Sequence, residues 1–293
     1  MDTIKQYIAE KRPALSKSSL TTYASILKNL YAKIWGAGIT DLNKFDDTDK
    51  VLDFLKAIPP NRRKTILSSL VIITDKKPYR DLMMNDVREY NADIQKQEKS
   101  DTQQESWVNT DEVRAIYDDL RKDADLLYKK KGLTPADLQQ VQNFIIVALL
   151  GGVFVPPRRS KDFVDFKIKS VDTTKDNFLE KSKMVFNSYK TAKTYGRQEV
   201  EIPVQLKNIL AKWIKHNPTD YLLFDVNMNP LSSVKLNQRL NKIFDKKVGV
   251  NQLRHTFLTD KYKKTSEESK SLANDMTEMG SSKAMADTYI KLK

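Results

Sequence analysis

Apolar residues in the first part of the chain recur at helical spacing. Leu20, Tyr23, Ile26, Leu27, Leu30 and Ile34 lie three or four positions apart and predict a helix over 19–35. Ser16 or Ser18 can cap its start, and Gly36 and Gly38 end it. A second helix is predicted over 48–58, stopped by Pro59-Pro60. A third covers 61–74, with Ile66, Leu67, Leu70, Val71 and Ile73 behind the basic run Arg62-Arg63-Lys64, and a fourth covers 79–97. From Gln95 to Glu105 the chain is polar throughout. Such a stretch has nothing to offer a core and reads as a linker or as the exposed end of a helix.

The pattern then changes. Asn109-Thr110-Asp111-Glu112 has the form of a helix start, and Ala136–Leu150 is a strongly apolar helix entered at Thr134-Pro135. Residues 163–170, 184–189 and 200–203 carry the shorter period of strands, the last after a turn at Gly196. From Leu206 onward the chain reads mostly as helix. The expected fold class is therefore mainly α with a small antiparallel β-sheet (α+β). Its expected divisions are a helical domain at 1–95, a linker at 96–108 and a second domain at 109–293.

Charge changes this picture most. The chain carries a net charge of +13, which draws it to polyanions, and nucleic acid is the commonest of these. There is no cysteine, so disulfides, thiolate catalysis and zinc fingers are excluded together. No apolar run reaches the roughly 18 residues of a membrane span, and no apolar stretch follows a basic one near Met1. The expectation is an intracellular protein (cytoplasm, nucleus or a viral factory) rather than a secreted or membrane-bound one.

A few residues can carry chemistry on a phosphate. Arg158 and Arg159 follow Pro156-Pro157, and Asp162 stands three residues after Arg159. A guanidinium can hold two oxygens of one phosphate in a fork, which an ammonium cannot. Lys190 ends a predicted strand, Lys193 follows, and the segment to Pro203 reads as a hairpin. A lysine at such a tip can reach a groove and protonate a departing oxygen. Arg254, in Asn251-Gln252-Leu253-Arg254-His255-Thr256, can be a second phosphate clamp. Tyr289 is a weak nucleophile unless positive charge stabilises its phenolate. Taken singly, each has a plain structural reading: a surface arginine pair, a solvated lysine, a packed tyrosine. His255 and His216 read as hydrogen-bonding residues.

Taken together and in this order, the set resembles the tyrosine recombinase (phage integrase) family. The string Pro156-Pro157-Arg158-Arg159-Ser160-Lys161-Asp162-Phe163 looks most like members from large eukaryotic DNA viruses and related mobile elements. The motifs cover about 109–293, while 1–95 is similar only in kind, as a helical DNA-binding (core-binding) domain preceding a catalytic one. The resemblance implies that Arg159 (with Asp162), Lys190, Arg254 and Tyr289 are catalytic, with Arg158 and Lys193 as alternatives for the first arginine and the lysine. Two positions depart from the family pattern: Asn251 stands where a histidine is usual, and Ser281 where a late histidine or tryptophan is usual. Neither side chain can relay a proton near neutral pH. Only Ile290-Lys291-Leu292-Lys293 follows the tyrosine.

The implied activity is site-specific recombination or integration. Double-stranded DNA is cut and rejoined through a 3′-phosphotyrosine, with no metal, ATP or cofactor, by a homo-tetramer on two DNA sites. The neighbouring readings are a type IB topoisomerase or telomere-resolvase-like enzyme, and a DNA-binding protein on a catalytically weakened recombinase scaffold.

Overall fold

The computed structural model describes residues 3–36 and 38–279. The chain divides into two compact units, one running to Lys99 and the other starting at Ser100.

The first unit is helical: α1 (Thr3–Lys11), α2 (Lys17–Trp35), a 3-10 turn (Leu42–Asp46), α3 (Thr48–Leu55), α4 (Pro60–Thr74) and α5 (Lys77–Lys96). Ser16 caps α2, its hydroxyl accepting the Ser19 N–H at 3.1 Å. Gly36 closes α2 in the left-handed region at φ 72°, where its N–H reaches the Ala32 carbonyl. The apolar stripes meet in one core, in which Ile8, Leu27, Tyr31, Phe45, Val51, Leu55, Leu67, Leu70 and Tyr79 are buried. Two polar contacts fix this packing from inside. Tyr79 donates its hydroxyl to the Phe45 carbonyl at 2.7 Å. Arg63 forks onto Asp86, Nε to Oδ2 at 2.9 Å and Nη2 to Oδ1 at 2.6 Å.

The second unit is built around α8 (Pro135–Leu150), whose last turns are apolar on every side. Val141 and all of Ile145 to Leu150 are fully buried, as expected of a helix with neighbours all round. Gln142 is buried among them, and its amide is satisfied by the Phe224 N–H and carbonyl, both at 2.8 Å. Around α8 lie α7 (Thr110–Leu127), entered through an Asn109–Glu112 capping box, and α11 (Val204–His216). The unit also contains α6 (Asp101–Glu105), α9 (Lys161–Val164), α10 (Ala192–Tyr195), α12 (Ser233–Phe244) and α13 (Val250–Glu278). Three antiparallel strands, β1 (Phe178–Glu180), β2 (Lys183–Phe186) and β3 (Gln198–Glu201), form a sheet in that order. The register sets Phe178 opposite Val185, Met184 opposite Val200 and Phe186 opposite Gln198. The fold is thus mainly helical with one small antiparallel sheet. Among the described residues no helix is long and apolar enough to cross a membrane.

Local pattern misled in three places. Residues 163–170 are not a strand: the chain makes the turn of α9, and only Lys167 forms isolated bridges, to Phe178 and Tyr221. Phe163 and Phe166 are three apart, which fits a helical turn, and their rings stack at 5.9 Å in the core. The first strand is instead β1, whose three residues are too short to carry a visible period. The second strand is also shorter than expected. It ends at Phe186, because the Asn187 and Ser188 N–H groups turn onto the buried Asn177 side chain. Finally, the polar stretch holds α6, closed by its own Ser100–Gln103 capping box.

Candidate active site

The chain leaves α8 through Gly151-Gly152. Gly152 sits at φ +75°, and a Cβ there would stand 2.7 Å from Phe257 Cδ2. Glycine therefore permits both the turn and the close approach of α13. Other contacts fasten the same helix. Thr256 donates its hydroxyl to the Val108 carbonyl at 2.6 Å in a buried bond. Asp260 accepts the Thr110 N–H at 2.9 Å and also the Thr110 hydroxyl. At the start of α13 the Val250 N–H reaches Asn237 Oδ1 at 3.0 Å. These bonds hold Arg254, one turn into α13, against the segment that follows Gly152.

Segments distant in sequence thereby share one cavity of about 390 Å³. Arg158 and Arg159 line it from the loop after α8, Asp162 from α9, Arg254 from α13, Tyr189, Thr191 and Tyr195 from the connection between β2 and β3, and Gln198 from the start of β3. The two neighbouring arginines differ. Arg158 is committed to the protein: its Nε donates to Asp162 Oδ2 at 2.8 Å and its Nη1 to Gln198 Oε1 at 3.0 Å. Its guanidinium also lies 3.9 Å from the Phe186 ring centroid and 5.2 Å from that of Tyr189. Asp162, 3% exposed, thus pairs with the arginine four residues before it, not three. Its other oxygen, Oδ1, is buried with no hydrogen-bond partner among the described residues. Arg159 and Arg254 are half-buried, and no hydrogen bond or ion pair within the described residues occupies either guanidinium.

The charges do not balance. Among the described residues three guanidiniums and one carboxylate line the cavity. Burial holds the Arg254 guanidinium below its usual range, and the positive charge of Arg159 adds to this; Asp162 opposes the shift. A half-enclosed, cationic cavity with two uncommitted guanidiniums is suited to an oxyanion with two free oxygens.

Lys190 is exposed and stands between Tyr189 and Thr191, which both line the cavity, although Lys190 itself does not. Lys193 is exposed on α10. Asn251 and His255 are exposed on α13, the first of them three residues before Arg254. His216 lies elsewhere, its Nδ1 2.9 Å from the Lys212 carbonyl and its ring against Tyr128. Tyr289 and Ser281 lie outside the described residues. Sequence reading passed over Thr191, Tyr195 and Gln198. The first two sit in a polar connection, and only the pairing of β2 with β3 sets Gln198, at the start of β3, opposite Phe186 and within reach of Arg158.

No protein-family model matches the chain, and no curated protein matches it in sequence. Solved structures similar to it include a lambda integrase (75–356) dimer bound to a COC′ core site, at 14% identity over 90% of this chain and 85% of that one, with a TM-score of 0.48. Another is XerH site-specific recombinase bound to difH substrate in a pre-cleavage complex, at 15% identity over 89% and 84%, with a TM-score of 0.43. A third is XerA recombinase, at 14% identity over 88% and 83%, with a TM-score of 0.36.

Proposed function

We propose that this chain is a site-specific DNA recombinase of the tyrosine type, cutting and rejoining duplex DNA. The observation that carries the reading is the cavity in which Arg159 and Arg254, both without a protein partner among the described residues, stand beside the committed Arg158–Asp162 pair. In the proposed reaction these two guanidiniums grip the non-bridging oxygens of one phosphodiester. Their grip strengthens as negative charge grows in the transition state, which is what accelerates the step. Tyr289 loses its phenolic proton to solvent and its oxygen bonds to phosphorus. The bond to the 5′-oxygen breaks, and Lys190 gives that oxygen a proton. The products are a 3′-phosphotyrosine and a free 5′-hydroxyl. Reversal by an incoming 5′-hydroxyl rejoins the strand without ATP. The helical unit that ends at Lys99 adds sequence-independent phosphate contacts through its basic side chains. The active form is proposed as a homo-tetramer on two DNA sites.

The test is trapping on duplex DNA carrying a nick beside the cleavage position, so that the short leaving strand is lost. Under the proposal the wild type accumulates a covalent adduct in EDTA, peptide mapping puts the link on Tyr289, and Tyr289→Phe binds DNA without forming it. An adduct of undiminished yield from Tyr289→Phe would reject the assignment.

A second reading, a DNA-binding protein on a weakened scaffold, is favoured by the asparagine exposed at position 251. It expects no adduct from the wild type, with duplex binding retained. Relaxation of supercoils without paired sites would instead favour a type IB topoisomerase-like enzyme.

A further inference from the structure

A larger cavity lies elsewhere in the second unit, where α12 faces the first half of α8 and the loop at 225–231; its volume is about 940 Å³. Lys235, Arg239 and Lys242 all line it, at a spacing of four and then three residues that places them on one face of α12. Their situations differ. Lys235 is held by Asp225 at 2.6 Å. That carboxylate is consumed: its other oxygen accepts the Asn227 and Asn229 N–H groups at 2.9 and 3.1 Å. Among the described residues Arg239 has only a neutral partner, the side-chain oxygen of Gln139, to which Nη2 donates. Its Nη1 is buried and has no hydrogen-bond partner among the described residues. Among the described residues this half-buried guanidinium has no paired counter-charge, a state whose desolvation an incoming anion would offset. Consistently, burial holds this guanidinium below its usual range, and Asp225, which lines the same cavity but is bonded to Lys235, opposes that only in second place.

The remaining walls indicate what kind of anion fits. Leu120, Leu231 and Ile243 make apolar surface, and Val226 at the margin is 72% exposed. The volume is within the range of pockets that hold small organic ligands and is far more than a bare ion fills. Lys235 is neutralised by Asp225, so among the described lining residues Arg239 is the half-buried cation without a counter-charge, which suits one singly charged group rather than a phosphate dianion. Lys242, exposed, adds positive potential that steers anions toward the opening.

We propose that this cavity is a binding site for a carboxylate attached to an apolar body, with the Arg239 guanidinium as the group that recognises the charge. The carboxylate belongs either to a free organic acid or to an acidic residue between apolar neighbours on a polypeptide. The site is independent of the arginine cavity and of the DNA reaction proposed for it.

The experiment is calorimetric titration of the full chain with 4-phenylbutyrate and with its neutral isostere 4-phenylbutyramide, with inorganic phosphate as a third probe. The acid should bind at least about tenfold more tightly than the amide, since one charged hydrogen bond is gained. Arg239→Gln should bring the two to equal affinity. Equal binding of acid and amide to the wild type would overturn the proposal without any need for the variant to fold. So would tighter binding of phosphate than of phenylbutyrate, or no heat from the acid. A second arm separates the sources: an acetylated Ala-Leu-Glu-Leu-Ala amide peptide is compared with its glutamine counterpart. A preference for glutamate, with tighter binding than phenylbutyrate, supports the polypeptide form; phenylbutyrate binding alone supports the free acid. If Arg239→Gln weakens duplex DNA binding tenfold while leaving phenylbutyrate binding unchanged, the residue serves phosphate and the proposal fails.

Discussion

Replacing Gly152 by alanine should act on the second unit through two separable terms. The first is conformational: at φ +75° an L-residue bears a strain of about 1–2 kcal/mol. The second is steric, because the new Cβ would lie 2.7 Å from Phe257 Cδ2, well inside contact distance. Overpacking of this kind costs about 1–3 kcal/mol. The sum is about 2–5 kcal/mol, or a fall in Tm of roughly 10 °C for a unit of this size. A double-mutant cycle separates the terms by urea unfolding of Gly152→Ala, Phe257→Ala and the pair. With Phe257 truncated, Gly152→Ala should retain only the conformational term, giving a coupling of about 1–3 kcal/mol. A cost for Gly152→Ala that is the same in both backgrounds would refute the claim that close approach of α13 requires glycine here. The same variant should cut covalent trapping on nicked DNA, because α13 carries Arg254. Undiminished trapping would separate that contact from the placement of the arginine.

Three further outcomes are expected. Arg158→Ala should destabilise the second unit by about 3–5 kcal/mol, because it strands the buried Asp162, whereas Arg159→Ala should change stability by no more than about 0.5 kcal/mol yet remove cleavage; similar stability losses in chemical denaturation would refute the division of labour. In the first unit, Arg63→Ala should cost about 3–5 kcal/mol, while Arg63→Met with Asp86→Leu should be near neutral, since the pair is 15% and 2% exposed; denaturation of each variant checks this. Asp137 is held down to about 2 by the Lys130 ammonium first and then by the Thr134 N–H and hydroxyl. A depressed carboxylate stabilises above its unfolded value and loses that contribution as pH falls through the folded one. The stability gap between wild type and Asp137→Asn should therefore be full at pH 5 and shrink steadily from about pH 4 toward 2, and a gap that widened over that span would contradict the assignment.

Sequence alone determined the helices with a long periodic stripe and a chemical cap. For α2, α4 and α8 the local spacing, Ser16, Pro59-Pro60 and Thr134-Pro135 are sufficient, because a helix is made of contacts three and four residues apart. The net charge, the absent cysteine and the residue types able to hold a phosphate were equally legible. Tertiary structure decided what depends on pairing between distant segments. Residues 163–166 turn rather than extend because the core receives the rings of both Phe163 and Phe166, and the three-residue β1 is defined by its pairing with β2 and the bridge from Lys167. Which of two adjacent arginines is free is likewise not a local property. Arg158 is taken by Asp162, Gln198 and Phe186, the last two supplied by the sheet, and among the described residues Arg159 is left without a partner. The nearness of Arg254 to that pair rests on Gly152 against Phe257 and on Thr256 bonded to Val108, contacts that no periodicity along the chain encodes.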